Sequence, residues 1–356
     1  MAAHKSLDPR ARPPAIIQNT YKKYQKKRDW TNYQDDTLVD LTQVDSLSSS
    51  VRQISTIDRE TILSACLAIE NHYYDESARR VIMSAIQTQP IYESSDLPGL
   101  LIIPSLLPPR TQKILLSKLL HRDLSKPEHL TNVHFHHRLP YPKPHKSFFS
   151  LDIQSHQCEP LDPTTHRPIP LAQLLNKKLR WATLGGQYDW SAKKYPDVKP
   201  PAFPPDTAQL LETLFPQMRA EAAIVNLYTP GDFLSMHRDV AEESDKGLIS
   251  VSIGCEAVFV IGLGPDNAAL SPGNDGSAIE MKPPLVIRLR SGDAVFMGGS
   301  SRFAWHGVPQ IIPGTCPDFL KDWPASIEEK TEPEYEQWRG WMANKRVNLN
   351  VRQMWD

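Results

Sequence analysis

The chain carries near its end the run Arg346-Val347-Asn348-Leu349-Asn350-Val351-Arg352. Strand side chains point to opposite faces in turn, so the valines and the leucine share one face and the arginines and asparagines share the other. An edge strand with a solvated polar face would show the same alternation. The pattern therefore predicts a β-strand, and its arginine-bearing face is a candidate binding surface.

A second run, at residues 223–228, reads Ala-Ile-Val-Asn-Leu-Tyr and places Asn226 and Tyr228 on one strand face. Arginine offers a fixed two-pronged donor for a carboxylate, and Arg346 and Arg352 supply two such groups. Asn226 and Tyr228 would add neutral donors. The two polar faces together fit an anionic dicarboxylate, and exposed polar faces on both strands are the simpler alternative.

A metal-binding pattern follows the second run. His237-Arg238-Asp239 contains a His-x-Asp pair, and His306 lies much further along the chain. Two histidines and one carboxylate form the facial triad of non-haem Fe(II) oxygenases, which leaves three positions of an octahedral iron open for cosubstrate and dioxygen. A His-x-Asp pair also arises by chance, and a turn-capping Asp beside an exposed His is the alternative. The set makes His237, Asp239 and His306 candidate ligands of Fe(II).

The composition limits the class of protein. The chain has 356 residues, 40% of them hydrophobic, which is enough for a substantial core in one large or two ordinary domains. Its net charge of −1 argues against bulk electrostatic capture of nucleic acid but leaves room for a local basic patch. No apolar run is long enough for a membrane helix, no secretory signal is visible, and the four cysteines form no Cys-x-x-Cys pair. A reduced intracellular protein without a membrane partner is expected.

Glycine divides the chain, because Gly99 alone precedes Gly185 and the other fourteen glycines follow. Glycine turns between short apolar runs are typical of antiparallel β-structure. A turn is expected at residues 291–293. Strands are expected at residues 249–253, 257–261, 285–289 and 294–297. The expected fold class is mainly β (α+β), as a sandwich, jelly roll or barrel.

The first 95 residues differ in character. Residues 21–28 read Tyr-Lys-Lys-Tyr-Gln-Lys-Lys-Arg, which indicates either a disordered or frayed basic helix or a nuclear-localisation or nucleic-acid contact segment. Residues 46–50 are interpreted as a polar linker. Helical spacing without Gly or Pro predicts short helices at residues 58–68 and 76–85.

The middle of the chain mixes short elements with loops. Residues 100–104 predict a buried strand, and residues 109–120 an amphipathic helix. Residues 125–170 are rich in His and Pro and are expected to form a polar or substrate-facing loop rather than a zinc site, because no cysteine pair accompanies the histidines. Residues 262–284 predict a long hairpin connection, and residues 334–344 a helix.

A set of motifs runs in order along the second half of the chain. They are Asn226-Leu227-Tyr228-Thr229-Pro230-Gly231, Leu234-Ser235-Met236-His237-Arg238-Asp239, Ser250-Val251-Ser252-Ile253-Gly254, Ser291-Gly292-Asp293, Gly299-Ser300-Ser301-Arg302, His306-Gly307-Val308 and the final strand. This set resembles the AlkB family. An earlier block, Leu179-Arg180-Trp181-Ala182-Thr183-Leu184-Gly185 with Tyr188-Asp189-Trp190, resembles the nucleotide-recognition lid of the eukaryotic homologue-one type.

The resemblance implies a double-stranded β-helix (jelly roll) core with a lid at about residues 176–198. It divides the chain into a basic, helical N-terminal extension, residues 1–95, and an oxygenase domain, residues 96–356. It implies iron ligation by His237, Asp239 and His306. It also implies 2-oxoglutarate contacts by Asn226, Tyr228, Arg346, Asn348 and Arg352. Arg346 would pair with the far carboxylate, and Arg352 would lie nearer the metal.

The lid block offers Trp181 and Tyr188 as an aromatic clamp on a base removed from its stack, with ordinary core packing as the alternative. The bacterial lid continues with a His-Arg pair where this chain has Leu184-Gly185. The base specificity of the bacterial enzyme is therefore not carried over.

The resemblance implies a dioxygenase that uses Fe(II), 2-oxoglutarate and dioxygen to remove N-methyl groups from nucleobases of RNA, transfer RNA included, or of DNA. Formaldehyde, succinate and CO₂ would be released. Oxidation of 5-methylcytosine in RNA, oxidation of a protein side chain such as a histone lysine, and non-catalytic nucleic-acid binding remain alternatives, and the intact triad argues against the last. The expected partner is methylated nucleic acid. A monomer in the nucleus or cytoplasm is expected, with the mitochondrion left open.

Overall fold

The computed structural model describes residues 7–30, 35, 37–43, 50–70, 83, 86–265, 281–327, 330–331 and 333–355. The α-helices are α1 Ala15–Gln25, α2 Arg59–Glu70, α3 Pro109–Ser117, α4 Leu171–Gln173, α5 Pro205–Leu214 and α6 Asp318–Lys321. The strands are β1 Leu38–Val39, β2 Val51–Ile57, β3 Gln89–Ser94, β4 Leu97–Ile103, β5 His137–Arg138, β6 Gln157–Pro160, β7 Ile169–Pro170, β8 Trp181–Gly185, β9 Ala222–Tyr228, β10 Leu234–His237, β11 Leu248–Gly254, β12 Ala257–Gly262, β13 Leu285–Leu289, β14 Ala294–Met297, β15 Trp305–Ile311, β16 Ser326–Ile327, β17 Lys330–Thr331 and β18 Arg346–Arg352.

Two sheets form the body of the fold. The larger has the strand order β2-β3-β4-β14-β11-β18-β9-β8, and the smaller has the order β1-β13-β12-β15-β10. Within them every pair is antiparallel except β1 with β13. One hydrophobic core draws on both sheets and on α2, α3 and α5. The predicted mainly-β jelly-roll class with accompanying helices is confirmed.

Strand β18 lies between β9 and β11, so both of its edges are paired. Val347, Leu349 and Val351 are buried in the core. Since neighbouring side chains alternate, Arg346 and Arg352 lie on the opposite face of β18, and Arg352 lines the space that holds the candidate site. The edge-strand alternative considered from the sequence is therefore wrong.

Helix α1 covers the outer face of the smaller sheet. Ile17, Tyr21 and Tyr24 are buried there in a second cluster, together with Val258, Val260 and Trp305. These three helix positions follow the i, i+4, i+7 spacing of one helix face, and Lys22 and Lys23 lie outside it. Of the expected disordered or frayed basic helix, the helix is confirmed for residues 15–25, but it is neither disordered nor frayed there, because its apolar stripe packs on the sheet.

Other sequence predictions differ in detail. Residues 334–344 form two 3₁₀ segments, because Gly340 interrupts them with a φ of 78°. The helix expected at 109–120 ends at Ser117 and continues as π-helical turns to Asp123. The loop expected at 125–170 contains the short sheet β5-β6-β7 and two 3₁₀ turns. The strands predicted between residues 249 and 297, the strand at 100–104 and the first helix, at 58–68, are confirmed within a few residues.

The N-terminal region is built into both sheets, since β1 joins the smaller sheet and β2 and β3 extend the larger one. These strands were not predicted from the sequence, and residues 1–95 therefore carry strands in addition to helices. The division at residue 95 and the lid bounds 176–198 remain predictions. The predicted helix 76–85, the linker 46–50 and the centre of the 262–284 connection lie largely outside the described residues. No described helix is both long enough and apolar enough to cross a bilayer.

Candidate active site

Two neighbouring strands bring the predicted metal ligands together. His237 at the end of β10 stands opposite His306 on β15, and Asp239 follows two residues later. The Nε2 atoms of His237 and His306 lie 3.8 Å from Oδ1 and Oδ2 of Asp239 respectively. In the described part of the chain, this is the one group of three such side chains whose ligand atoms all lie within 4.8 Å of one another.

Hydrogen bonds orient both imidazoles for ligation. Nδ1 of His237 donates to the carbonyl oxygen of Ser235 at 2.9 Å, and Nδ1 of His306 donates to that of Ala304 at 3.0 Å. Each bond leaves Nε2 with a free lone pair facing Asp239, as a metal-ligating histidine requires. Burial lowers the pKa of His306 to about 4, so its ring is neutral near pH 7. The three side chains fit a divalent iron with two histidines and one carboxylate.

The carboxylate of Asp239 is held in its ionised form. Burial would raise its pKa, but the nearby charge of Arg352 lowers it well below the usual range. Nη2 of Arg352 donates to Oδ2 of Asp239 at 2.8 Å. This contact places Arg352 beside the triad, where the family resemblance had put it.

Arg302 and Glu242 support the same loop and were not named as site residues from the sequence. Nη1 of the buried Arg302 donates to the carbonyl oxygen of Asp239 at 2.9 Å, and its Nη2 lies 3.1 Å from Oε2 of Glu242. Glu242 also lies 3.0 Å from Nε of Arg352. Arg302 belongs to the family motif at residues 299–302, but no sequence pattern indicates its ion pair with Glu242, which lies 60 residues earlier.

A second set of polar groups lies on the paired strands β9 and β18, where Arg346 stands opposite Tyr228. Arg346 is 1% exposed and donates to the carbonyl oxygen of Cys255 at 3.0 Å and to Oγ of Ser252 at 2.6 Å. Burial lowers its pKa to about 10, so it keeps its charge near pH 7. Nε of Arg346 and the hydroxyl of Tyr228 are buried and have no hydrogen-bond partner among the described atoms. These two donors have no acceptor among those atoms, and one of them belongs to a buried cation, so together they fit the carboxylate of 2-oxoglutarate.

The two asparagines of the predicted cosubstrate set also face each other across β9 and β18. Asn348 donates to Oγ of Ser250 at 2.9 Å and to the carbonyl oxygen of Val251 at 3.0 Å. Asn226 lines the cavity that contains the triad. The structure thus brings the three predicted ligands together and places the predicted cosubstrate residues on the adjacent strands β9 and β18, where Asn226 and Arg352 line the cavity. Their roles remain predictions.

The cavity at the triad has a volume of about 370 Å³. Aromatic side chains form one wall, and they are Tyr188, Trp190, Tyr195 and Phe233. Phe233 is 53% exposed and stands at the mouth. The tyrosine predicted as a clamp lines the cavity, whereas Trp181 does not. Trp181 lies behind Trp190, with ring centroids 5.2 Å apart.

The wall is a connected set of rings. Tyr188 meets Trp190 edge to face at 4.8 Å, and Phe135 meets Trp181 at 5.9 Å. Trp190 and Phe233 were not singled out from the sequence. Trp190 belongs to the lid motif, but which of Trp181 and Trp190 lines the cavity depends on tertiary contacts.

The fold and the triad define a non-haem iron oxygenase, and comparison with known proteins agrees. Residues 99–352 match the family model described as the 2OG-Fe(II) oxygenase superfamily. The chain belongs to this superfamily and, within it, to the AlkB family. The superfamily uses Fe(II), 2-oxoglutarate and dioxygen.

Three fungal relatives resemble the chain over most of its domain. The N6-methyladenosine RNA demethylase ALKB1 of Pyricularia oryzae is 50% identical over 291 residues, 76% of this chain and 78% of that protein. The N6-methyladenosine RNA demethylase ALKBH of Cryphonectria parasitica is 51% identical over 230 residues, 63% of this chain and 100% of that protein. The tRNA demethylase abh1 of Schizosaccharomyces pombe is 36% identical over 274 residues, 74% of this chain and 82% of that protein.

Proposed function

We propose that the chain is an Fe(II)- and 2-oxoglutarate-dependent demethylase of N-methylated adenine in RNA. One observation carries the proposal. The triad His237, Asp239 and His306 adjoins a cavity with an aromatic wall, and the unpartnered donors of Arg346 and Tyr228 lie on β18 and β9, the strands whose Arg352 and Asn226 line that cavity. A metal site alone, without a carboxylate cradle beside it, would have fitted many other activities.

The residues divide the work as follows. His237, Asp239 and His306 would hold the iron, and Arg346 and Tyr228 would hold the far carboxylate of 2-oxoglutarate. When bound, iron and cosubstrate supply an oxidant that hydroxylates the N-methyl carbon, after which the methyl group leaves as formaldehyde and succinate and CO₂ are released. Arg352 keeps Asp239 ionised, so the carboxylate stays available as a ligand.

The wall formed by Tyr188, Trp190 and Phe233 would receive the base. Each nucleobase has an aromatic face, and stacking on an aromatic side chain stabilises a base by ~1–3 kcal/mol. The same rings would keep water from the reacting carbon. Adenine in RNA is favoured as the substrate because the two relatives at about 50% identity are named as N6-methyladenosine RNA demethylases.

The test is a matched set of oligonucleotides that carry N6-methyladenine or 1-methyladenine in RNA or DNA of one sequence. The protein is supplied with Fe(II), 2-oxoglutarate and ascorbate, and loss of the methyl group is read by mass spectrometry beside succinate production. We expect turnover of methylated RNA that disappears in Asp239→Ala. Turnover of DNA alone would contradict the RNA assignment. Absence of turnover on every oligonucleotide, with 2-oxoglutarate still consumed, would favour a protein side chain as the substrate.

A further inference from the structure

A second cavity, larger than that of the active site, lies on the segments around residues 121–127 and 142–147. Its volume is about 670 Å³. It is lined by His121, Arg122, Ser125, Lys126, Pro127, Pro142, Lys143, Pro144, His145, Lys146, Ser147 and Tyr335. Four of these side chains are cationic and none is a carboxylate. The chain as a whole has a net charge of −1, so this concentration of positive charge is a local feature.

The nearby acidic groups neutralise this charge only in part. Arg122 pairs with Asp123 and Asp206, which lie behind the lining. Lys126 lies 3.6 Å from the same Asp123. Lys143 forms no ion pair with any residue that the structure describes. The cavity therefore keeps an excess of positive charge on an exposed loop, where an anion can reach it.

Lys146 is the fourth cation and pairs with Glu334 at 2.9 Å. Both of these side chains are largely exposed, so solvent screens the pair and it contributes little to stability. An incoming anion can therefore replace Glu334 as the partner of Lys146 with little loss of stability.

Two neutral side chains in the lining also have polar atoms without a hydrogen-bond partner among the described atoms. These atoms are Nε2 of His121 and Oγ of Ser125, and both are buried. Oγ of Ser147 accepts from the backbone N–H of Phe149 at 3.1 Å and lies 2.7 Å from Nδ1 of His121. Buried polar atoms without a hydrogen-bond partner are rare unless a ligand or water completes them.

Two prolines, Pro142 and Pro144, limit the backbone freedom of the loop that carries Lys143 and Lys146. A loop with less backbone freedom loses less conformational entropy when a ligand binds.

The cavity and the lid are joined by a short stretch of chain. Two residues separate Pro127 in the cavity lining from Leu130, so their Cα atoms are at most about 11 Å apart. The backbone N–H of Leu130 donates to Oε1 of Gln187 at 2.9 Å, and Gln187 precedes Tyr188 of the active-site wall. The two cavities therefore lie within about 25 Å of each other, a span of a few nucleotides.

We propose that the cavity lined by Lys126 and Lys143 is a second RNA contact, which binds backbone phosphate of a folded substrate while the methylated base occupies the active site. The proposal rests on the proposed function for the identity of the anion. It makes a long RNA, such as a transfer RNA, bind more tightly than a dinucleotide, because two nucleotides do not span both cavities.

The test measures binding of the full chain without iron or 2-oxoglutarate, by fluorescence anisotropy. The probes are an unmodified transfer RNA and an RNA dinucleotide, which is the short RNA of the comparison. The variant is the double substitution Lys126→Gln and Lys143→Gln, and the control is Lys321→Gln, whose side chain pairs with Asp318 and lines neither cavity. We expect the double variant to weaken transfer RNA binding about tenfold and to lower the slope of log K against log salt by about 1.4–1.8, since each phosphate contact contributes about 0.7–0.9.

The short RNA should bind the double variant and the unaltered chain within about twofold, and Lys321→Gln should leave both affinities unchanged. Equal loss for both RNAs, or a lowered affinity with an unchanged salt slope, would overturn the proposal. So would unchanged transfer RNA binding combined with a rise in melting temperature on adding inorganic pyrophosphate, which would indicate a small phosphorylated ligand. Because catalysis is not measured, failure of demethylation would count against the proposed function and not against this site.

Discussion

Replacing Arg346 with methionine is expected to weaken 2-oxoglutarate binding by about a hundredfold or more. Methionine keeps much of the side-chain volume and removes the cation that is 1% exposed beside the Tyr228 hydroxyl. Leaving a buried charge without its partner costs ~3–5 kcal/mol. At about 1.4 kcal/mol per tenfold change in affinity, the lower bound is roughly two decades.

The lysine variant separates charge from geometry. Arg346→Lys keeps a cation but loses the second prong of the guanidinium, whose Nε has no partner in the described chain. One hydrogen bond to a charged group contributes ~1.5–3 kcal/mol, so an affinity loss of about 10- to 150-fold is expected, smaller than for methionine.

The assay is isothermal titration of 2-oxoglutarate into protein loaded with an inert divalent metal. Arg288→Met is the matched control, because Arg288 lies on β13 and pairs with Glu256 at 2.5 Å outside the active-site cavity. Circular dichroism checks that each variant is folded. Wild-type affinity in folded Arg346→Met would refute the assignment of the carboxylate cradle.

Four further outcomes are expected. Asp239→Ala should lose divalent-metal binding by titration while remaining folded by circular dichroism, and metal affinity equal to that of the unaltered chain would dismiss the triad. Trp190→Ala should lower demethylation of an oligonucleotide by a factor that corresponds to ~1–3 kcal/mol, with substrate-independent consumption of 2-oxoglutarate spared, and Trp181→Ala should have the smaller effect because it lies behind Trp190. Ile17→Ala should lower the free energy of unfolding by ~2–5 kcal/mol in chemical denaturation, since the side chain is fully buried between α1 and the smaller sheet. A change below about 0.5 kcal/mol would disprove the packing of this helix. Burial lowers the pKa of His121 from 6.5 to about 4, so the unfolded chain takes up a proton at a higher pH than the folded chain does, and the free energy of unfolding should fall by at most about 3 kcal/mol as pH drops from 6.5 to 4. His121→Phe should reduce that pH dependence in denaturant melts at graded pH, and an unchanged dependence would contradict the burial argument.

The final strand and the triad were readable from the sequence for local reasons. The alternation of apolar and polar side chains over seven residues is enough to predict a strand and its two faces. Strand β18 has the bounds that this alternation predicts, Arg346–Arg352. His237 and Asp239 are two positions apart in the sequence, so only the place of His306 depended on the fold, and the family motifs supplied it.

The missed features depend on contacts between distant segments. Strand β2 has five exposed residues between two buried ends, so it lacks the apolar alternation that predicts a strand. Its pairing with β3 decides its conformation instead. The order of Trp181 and Trp190 around the cavity, and the ion pair of Arg302 with Glu242, likewise have no local signature.

The central place of β18 has a consequence for synthesis. Its partner β9 ends at Tyr228, and Arg346 follows 118 residues later. At about 5–20 residues per second, a ribosome needs roughly 6–24 s to make that interval. During this time β9 and β11 lack the strand that separates them, and their apolar faces and edges stand open to aggregation or to chaperones. Slower growth at low temperature lengthens the interval, so the yield of soluble enzyme is expected to depend on chaperone supply more than on the stability of the finished fold.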